Sequence, residues 1–155
     1  MKPTRTHLVA LVLLVGMAVL APHRTLIQAS SGKAGVLHIN KECSKYTGAA
    51  GSFCTLTSSS LAEITAGSKV FYSQPAGIPA GVLDSNVVLD AGAGTRAIGR
   101  CTLDLSTGRG VCTFSDGTGQ LAGFHARVDV FPPESTGGDW LWSGTYGFTP
   151  GVGRP

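Results

Sequence analysis

The stretch CTLDLSTGRGVCTF, Cys101–Phe114, decides how the chain folds. Two cysteines enclose ten residues, with Ser106, Thr107 and Gly108 near the middle. A chain that reverses there sets Cys101 opposite Cys112, Thr102 opposite Val111 and Leu103 opposite Gly110. Gly108 and Gly110 supply relaxed backbone near the turn. In that register Cys101, Leu103, Cys112 and Phe114 share one face. Arg100, Thr102, Asp104, Thr113 and Ser115 share the other, where Val111 is the one apolar exception. One register thus brings the cysteines together and sorts the side chains by polarity. Opposed Cα atoms of an antiparallel ladder lie within disulfide reach. The stretch reads as a stapled β-hairpin.

The same spacing occurs in CSKYTGAAGSFC, Cys43–Cys54. Here the middle reads as an irregular loop tied at its base. Four cysteines allow three pairings. The expected one is local, Cys43–Cys54 with Cys101–Cys112. Structural zinc sites want ligand pairs two to four residues apart. These cysteines are not so spaced, and no metal is expected.

The start of the chain sets the compartment. Lys2 and Arg5 precede an apolar run of fourteen residues, Leu8–Ala21. The run is short for a bilayer span and suits a secretory signal. Residues 1–29 read as that signal, with cleavage after Ala29, and residues 30–155 as one domain. No stable membrane span is then left. The full chain carries twelve Lys and Arg against nine Asp and Glu, a net charge of +3. Lys2, Arg5 and Arg24 leave with the signal and no acid does, so nine bases face nine acids. The mature charge is about zero and no basic run remains, which argues against nucleic-acid partners. Export to an oxidising compartment agrees with an even cysteine count read as disulfides.

The rest of the domain shows short β-branched and aromatic runs separated by Gly, Ser, Asp and Pro, the pattern of an all-β sandwich or barrel. Strands are expected around Val36–Ile39, Phe53–Thr57, Ser68–Ser73 and Ser85–Asp90. The cysteine hairpin follows, then Gly123–Phe131 and Trp140–Phe148. Ser60–Glu63 has capping-box spacing and reads as a short helical turn. Gln74–Gly81 reads as a loop, and Ser115–Gln120 as a tight Asp-Gly turn. About eight strands result, enough to close a small antiparallel, calycin-like β-barrel.

From Val87 to Phe148 the chain resembles the allene oxide cyclase and dirigent proteins, including exported bacterial members without an assigned function. The resemblance lies in DGTGQLAGFHARVDV, a loop, and WLWSGTYGF. In that family a Gly-Gly-Thr-Gly-like turn precedes F-x-G-A-x-G and a long strand. Asp116-Gly117-Thr118-Gly119 stands at the turn here, followed by Leu121, Gly123 and Phe124. The resemblance implies an eight-stranded antiparallel barrel with an apolar lumen open at one end. It also implies lumen acids from the N-terminal strands, for which Glu42 is the nearest acid by position. Family members often form dimers or trimers, so a homo-oligomer is left open.

Two rows of side chains are candidate sites. His125, Arg127 and Asp129 share one strand face, about 7 Å apart. Facing the lumen, His125 could exchange a proton while Arg127 held a substrate carboxylate. The alternative is a solvated outer face opposite the apolar row Phe124–Val130. Trp140, Trp142, Gly144 and Tyr146 form the second row. Gly144 leaves a gap that could admit a flat ligand. The alternative there is plain core. Nucleophilic catalysis lacks a Gly-x-Ser-x-Gly elbow. AGAG at Ala91–Gly94 is followed by a hairpin rather than by a helix that could cradle phosphate. No cofactor is expected.

The leading expectation is a secreted barrel that binds a small apolar or aromatic molecule without turnover. A cyclase- or isomerase-like enzyme is the alternative. A filled barrel serving as an extracellular interaction module is a further one.

Overall fold

The computed structural model describes residues 32–151. The signal segment, its cleavage site and the last four residues of the tail lie outside the described residues. Eight strands run in chain order: β1 Ala34–Glu42, β2 Phe53–Ser59, β3 Lys69–Tyr72, β4 Val82–Asp90, β5 Arg96–Asp104, β6 Arg109–Thr118, β7 Phe124–Phe131 and β8 Trp140–Phe148. Each pairs antiparallel with the next, and β8 returns to pair with β1, closing an all-β barrel. Closure leaves no sheet edge with unpaired backbone.

Alternation decides what enters the barrel. In β7, Phe124, Ala126, Val128 and Val130 are buried while His125, Arg127 and Asp129 are exposed. In β5 and β6, Cys101, Leu103, Cys112 and Phe114 are buried, and the polar set identified above stands outside. On that outer wall Arg100 donates two hydrogen bonds to Asp84 across β4 and β5, at 2.8 and 2.6 Å. The outer wall also carries an apolar row, with Phe53, Phe71, Val88 and Ile98 in register from β2 to β5.

The hairpin has the expected register: Cys101 faces Cys112, Thr102 faces Val111 and Leu103 faces Gly110. Both local disulfides form, with Cα–Cα distances of 4.1 Å for Cys101–Cys112 and 4.3 Å for Cys43–Cys54. Gly108 turns the hairpin at φ 67°.

Two local expectations need correction. Ser115–Gln120 is not a tight turn, because β6 continues to Thr118 and the chain reverses through a 3₁₀ turn at Gly119–Leu121. Asp116 takes φ 51° and carries one extra residue as a bulge opposite Arg96–Ile98. Asp tolerates this left-handed backbone better than most residues, so the Asp-Gly pair bends a strand instead of ending it. Ser60–Glu63 forms no helical element; a single backbone bond runs from Ile64 N–H to the Leu61 carbonyl at 3.0 Å. This β2–β3 loop turns Leu61 and Ile64 inward, each 1% exposed.

The two barrel ends are therefore unequal. At one end, Leu61, Ile64 and Leu121 come from loops and join Phe124 and Phe148 in the core. At the other, the loops after β1, β3, β5 and β7 surround a recess.

Gly144 faces Val128 in β7. A Cβ there would stand 2.1 Å from the Arg127 carbonyl oxygen and 2.7 Å from the Val128 Cα. Only a residue without a side chain allows this approach. Gly144→Ala is expected to cost about 1–3 kcal/mol through forced separation of β7 and β8, measured by urea denaturation. An unchanged midpoint would refute the close approach.

Candidate functional site

The recess is built from strand ends. β1 contributes Lys41, β3 Tyr72, β4 Leu83, β7 Val130, and β8 Trp140 and Trp142. The β1–β2 loop adds Tyr46, and both disulfides form part of the wall. The recess has a cavity volume of about 50 Å³. That is more than one water needs and less than a benzene-sized cavity, so a small organic molecule could seat one end in the recess and keep its body at the mouth.

Lys41 is the unexpected member. It follows Leu37 and Ile39 on the inward face of β1 and is only 3% exposed. Its register partner on β8 is Trp140, and Ile39 pairs with Trp142. Lys41 Nζ lies 2.7 Å from Tyr72 Oη and 3.9 Å from Cys54 Sγ. It stands over the Trp142 ring at 4.7 Å, with Tyr72 at 5.4 Å and Trp140 at 5.8 Å. Aromatic faces attract a cation but do not neutralise it. No carboxylate among the described residues pairs with this amine. Burial therefore pushes its pKa down to about 7.

The neighbouring phenols respond the other way. Burial pushes Tyr72 far above the ordinary tyrosine range and raises Tyr46 as well, so both keep their protons. Their rings meet at 4.9 Å. Tyr46 Oη and Trp142 Nε1 are buried without a hydrogen-bond partner. Buried polar groups are rarely left so.

Of the aromatic row, Trp140 and Trp142 line the recess, while Tyr146 does not. Tyr146 packs instead with Phe124 and Phe148, at 6.5 and 6.0 Å. Gly144 is not among the residues that line the recess, and it lies close against the β7 backbone. His125, Arg127 and Asp129 stand on the outer wall, so they cannot act on a lumen substrate. The His125 ring covers Gly147 on β8, where a Cβ would lie 2.6 Å from Nε2. Glu42 is directed away from the lumen too; its carboxylate accepts a hydrogen bond from Ser44 N–H at 2.9 Å. That bonding, with the Ser44 side chain foremost, lowers its pKa.

Sequence reasoning missed Lys41, Tyr46 and Tyr72. The first had a signal: continuing the alternation from Leu37 and Ile39 by two residues places Lys41 inside. Tyr72 follows Val70 by the same rule. Tyr46 belongs to a loop and had none.

Compared with protein-family models, with curated proteins and with solved structures, the chain matches none of them. Among the described residues no helix is long and apolar enough to cross a membrane. The two disulfides are compatible with an extracellular protein.

Proposed function

We propose that the chain is a secreted, disulfide-stapled barrel that holds a small molecule with an apolar or aromatic body in its open end. One observation carries this reading: a recess walled by two tryptophans, two tyrosines and aliphatic side chains, in a barrel whose other end is filled. Concave sites of mostly apolar lining with a few polar groups are what small ligands require. Export is supported by the signal-like start and by the two disulfides. Membership of the allene oxide cyclase and dirigent-like family belongs to the same proposal. The closed eight-stranded barrel supports it, and the outward-facing Glu42 removes the one lumen acid carried over from it.

Both tryptophans of the chain line the recess. Occupancy by a small neutral aromatic such as benzyl alcohol should therefore shift or quench the intrinsic fluorescence saturably. Native mass spectrometry of protein from its own host should show an added small mass. Unliganded protein together with unresponsive fluorescence would refute the reading.

A cyclase- or isomerase-like enzyme has one observation in its favour, the Lys41 amine poised near neutrality beside the Tyr72 hydroxyl. Such a pair could exchange protons with a confined substrate. Retention alone asks less of the site, and it is the reading preferred here.

A further inference from the structure

The recess contains hydrogen-bond donors in excess. This inference rests on the binding reading above and concerns what the ligand carries. We infer that the ligand is a small monocarboxylate, its carboxylate held by Lys41 and the tyrosine hydroxyls and its apolar body against Trp140 and Trp142.

An ammonium at Lys41 offers three protons. Tyr72 Oη accepts one, at 2.7 Å, and Cys54 Sγ at 3.9 Å is at best a weak second acceptor. With its oxygen so used, the Tyr72 proton has no acceptor among the described residues. Tyr46 Oη and Trp142 Nε1 are buried and unpartnered in the same lining. The other side chains of the lining are Trp140, leucine, valine and the disulfide cysteines. A site that presents a cation and several N–H and O–H groups, with no strong acceptor of its own, is complementary to an anion.

Charge and shape narrow the anion. Lys41 is the one charged side chain of the recess, and the phenols beside it stay protonated. A single negative charge balances it, whereas a dianionic phosphate would leave a charge unpaired in an apolar surrounding. The ring faces of Trp140 and Trp142, with Leu83 and Val130, offer apolar surface that a bare inorganic ion cannot use. They suit the ring or short chain of an organic acid. Such a ligand would also hold Lys41 in its charged form, since an opposite charge at hydrogen-bond distance favours the ammonium.

The test is a matched titration by calorimetry on the full, disulfide-intact protein near pH 6. Benzoate and hexanoate are compared with benzamide and hexanamide. Each acid should bind about 10- to 100-fold more tightly than its amide. In Lys41→Met the preference should vanish while amide binding persists. In Tyr46→Phe it should fall without vanishing. Near-UV circular dichroism checks that both variants fold. Equal affinity for acid and amide in the wild type, or a preference that survives Lys41→Met, overturns the carboxylate inference and leaves the binding reading intact. A neutral copurified ligand does the same. Absence of binding by all four probes, with unliganded native protein, overturns both.

Discussion

Replacing Lys41 by Met should stabilise the unliganded protein, and should flatten its dependence on pH. The amine has an ordinary value of 10.5 and is pushed down to about 7 in the folded state by burial. Below pH 7 both folded and unfolded chains carry the charge, and the folded state bears the full cost of burying it. Between 7 and 10.5 the unfolded chain binds the extra proton, so wild-type stability rises with pH across that window. Above it both states are neutral and the cost is gone. At about 1.4 kcal/mol for each pH unit, the wild type should gain roughly 2–3 kcal/mol between pH 7 and 9 from this group. Met at position 41 cannot titrate, and the gain should disappear.

At pH 6 the variant should be more stable than the wild type by about 2–4 kcal/mol. The gross penalty is larger, but the Trp142 face at 4.7 Å already offsets part of it, by about 1 kcal/mol. Loss of the partner of Tyr72 takes back about as much again. Urea denaturation at pH 6, 7, 8 and 9 measures both effects. No cysteine among the described residues is free to exchange disulfides at the alkaline end. A wild-type curve that is flat from pH 7 to 9 would mean that the amine reaches water or an acceptor in the folded state. A buried cation that weakens its own fold is the kind of feature retained for a site.

The second large effect concerns the staples. Each disulfide closes a loop with a sequence separation of 11, worth about 3 kcal/mol in the chain-entropy model. Cys101→Ala with Cys112→Ala should lower stability by about that amount and weaken binding only by the wall contact it removes. The β5–β6 ladder spans pairs from Arg96–Thr118 to Asp104–Arg109 and should hold without the bridge. Cys43→Ala with Cys54→Ala should cost a similar stability but also weaken binding. Cys43 lies beyond the end of β1, and its carbonyl accepts the Tyr46 N–H at 3.0 Å, so this bridge anchors the loop that carries Tyr46. Denaturation midpoints and the benzyl alcohol titration together check the difference. Equal binding losses in the two double variants would refute the separate role of the Tyr46 loop.

The cysteine hairpin was legible because everything that decides it lies within fourteen residues: two thiols, a Gly-containing turn and one alternation of polarity. The faces of β7 were legible for the same local reason, since Phe124, Ala126, Val128 and Val130 alternate with charged or ring-bearing polar residues. The site was less so. The aromatic row pointed to Trp140 and Trp142 but equally to Gly144 and Tyr146, which share its face and lie nearer the filled end. Ionisable character pointed to His125, Arg127 and Asp129, because a row of charges on one strand is conspicuous. Burial selected a solitary lysine instead.

By itself, then, the chain determined a stapled eight-stranded barrel, its disulfide pairing and the inward face of most strands, because hairpins and alternation are short-range. Which groups meet at the open end was settled only when β8 closed onto β1. That contact sets Lys41 beside Trp140 and Trp142, about a hundred residues away in sequence, while β3 brings Tyr72 to within 2.7 Å of its amine. No local pattern encodes such a meeting. It follows from the closure of the sheet, which turns a strand-end lysine into a buried amine among aromatic rings.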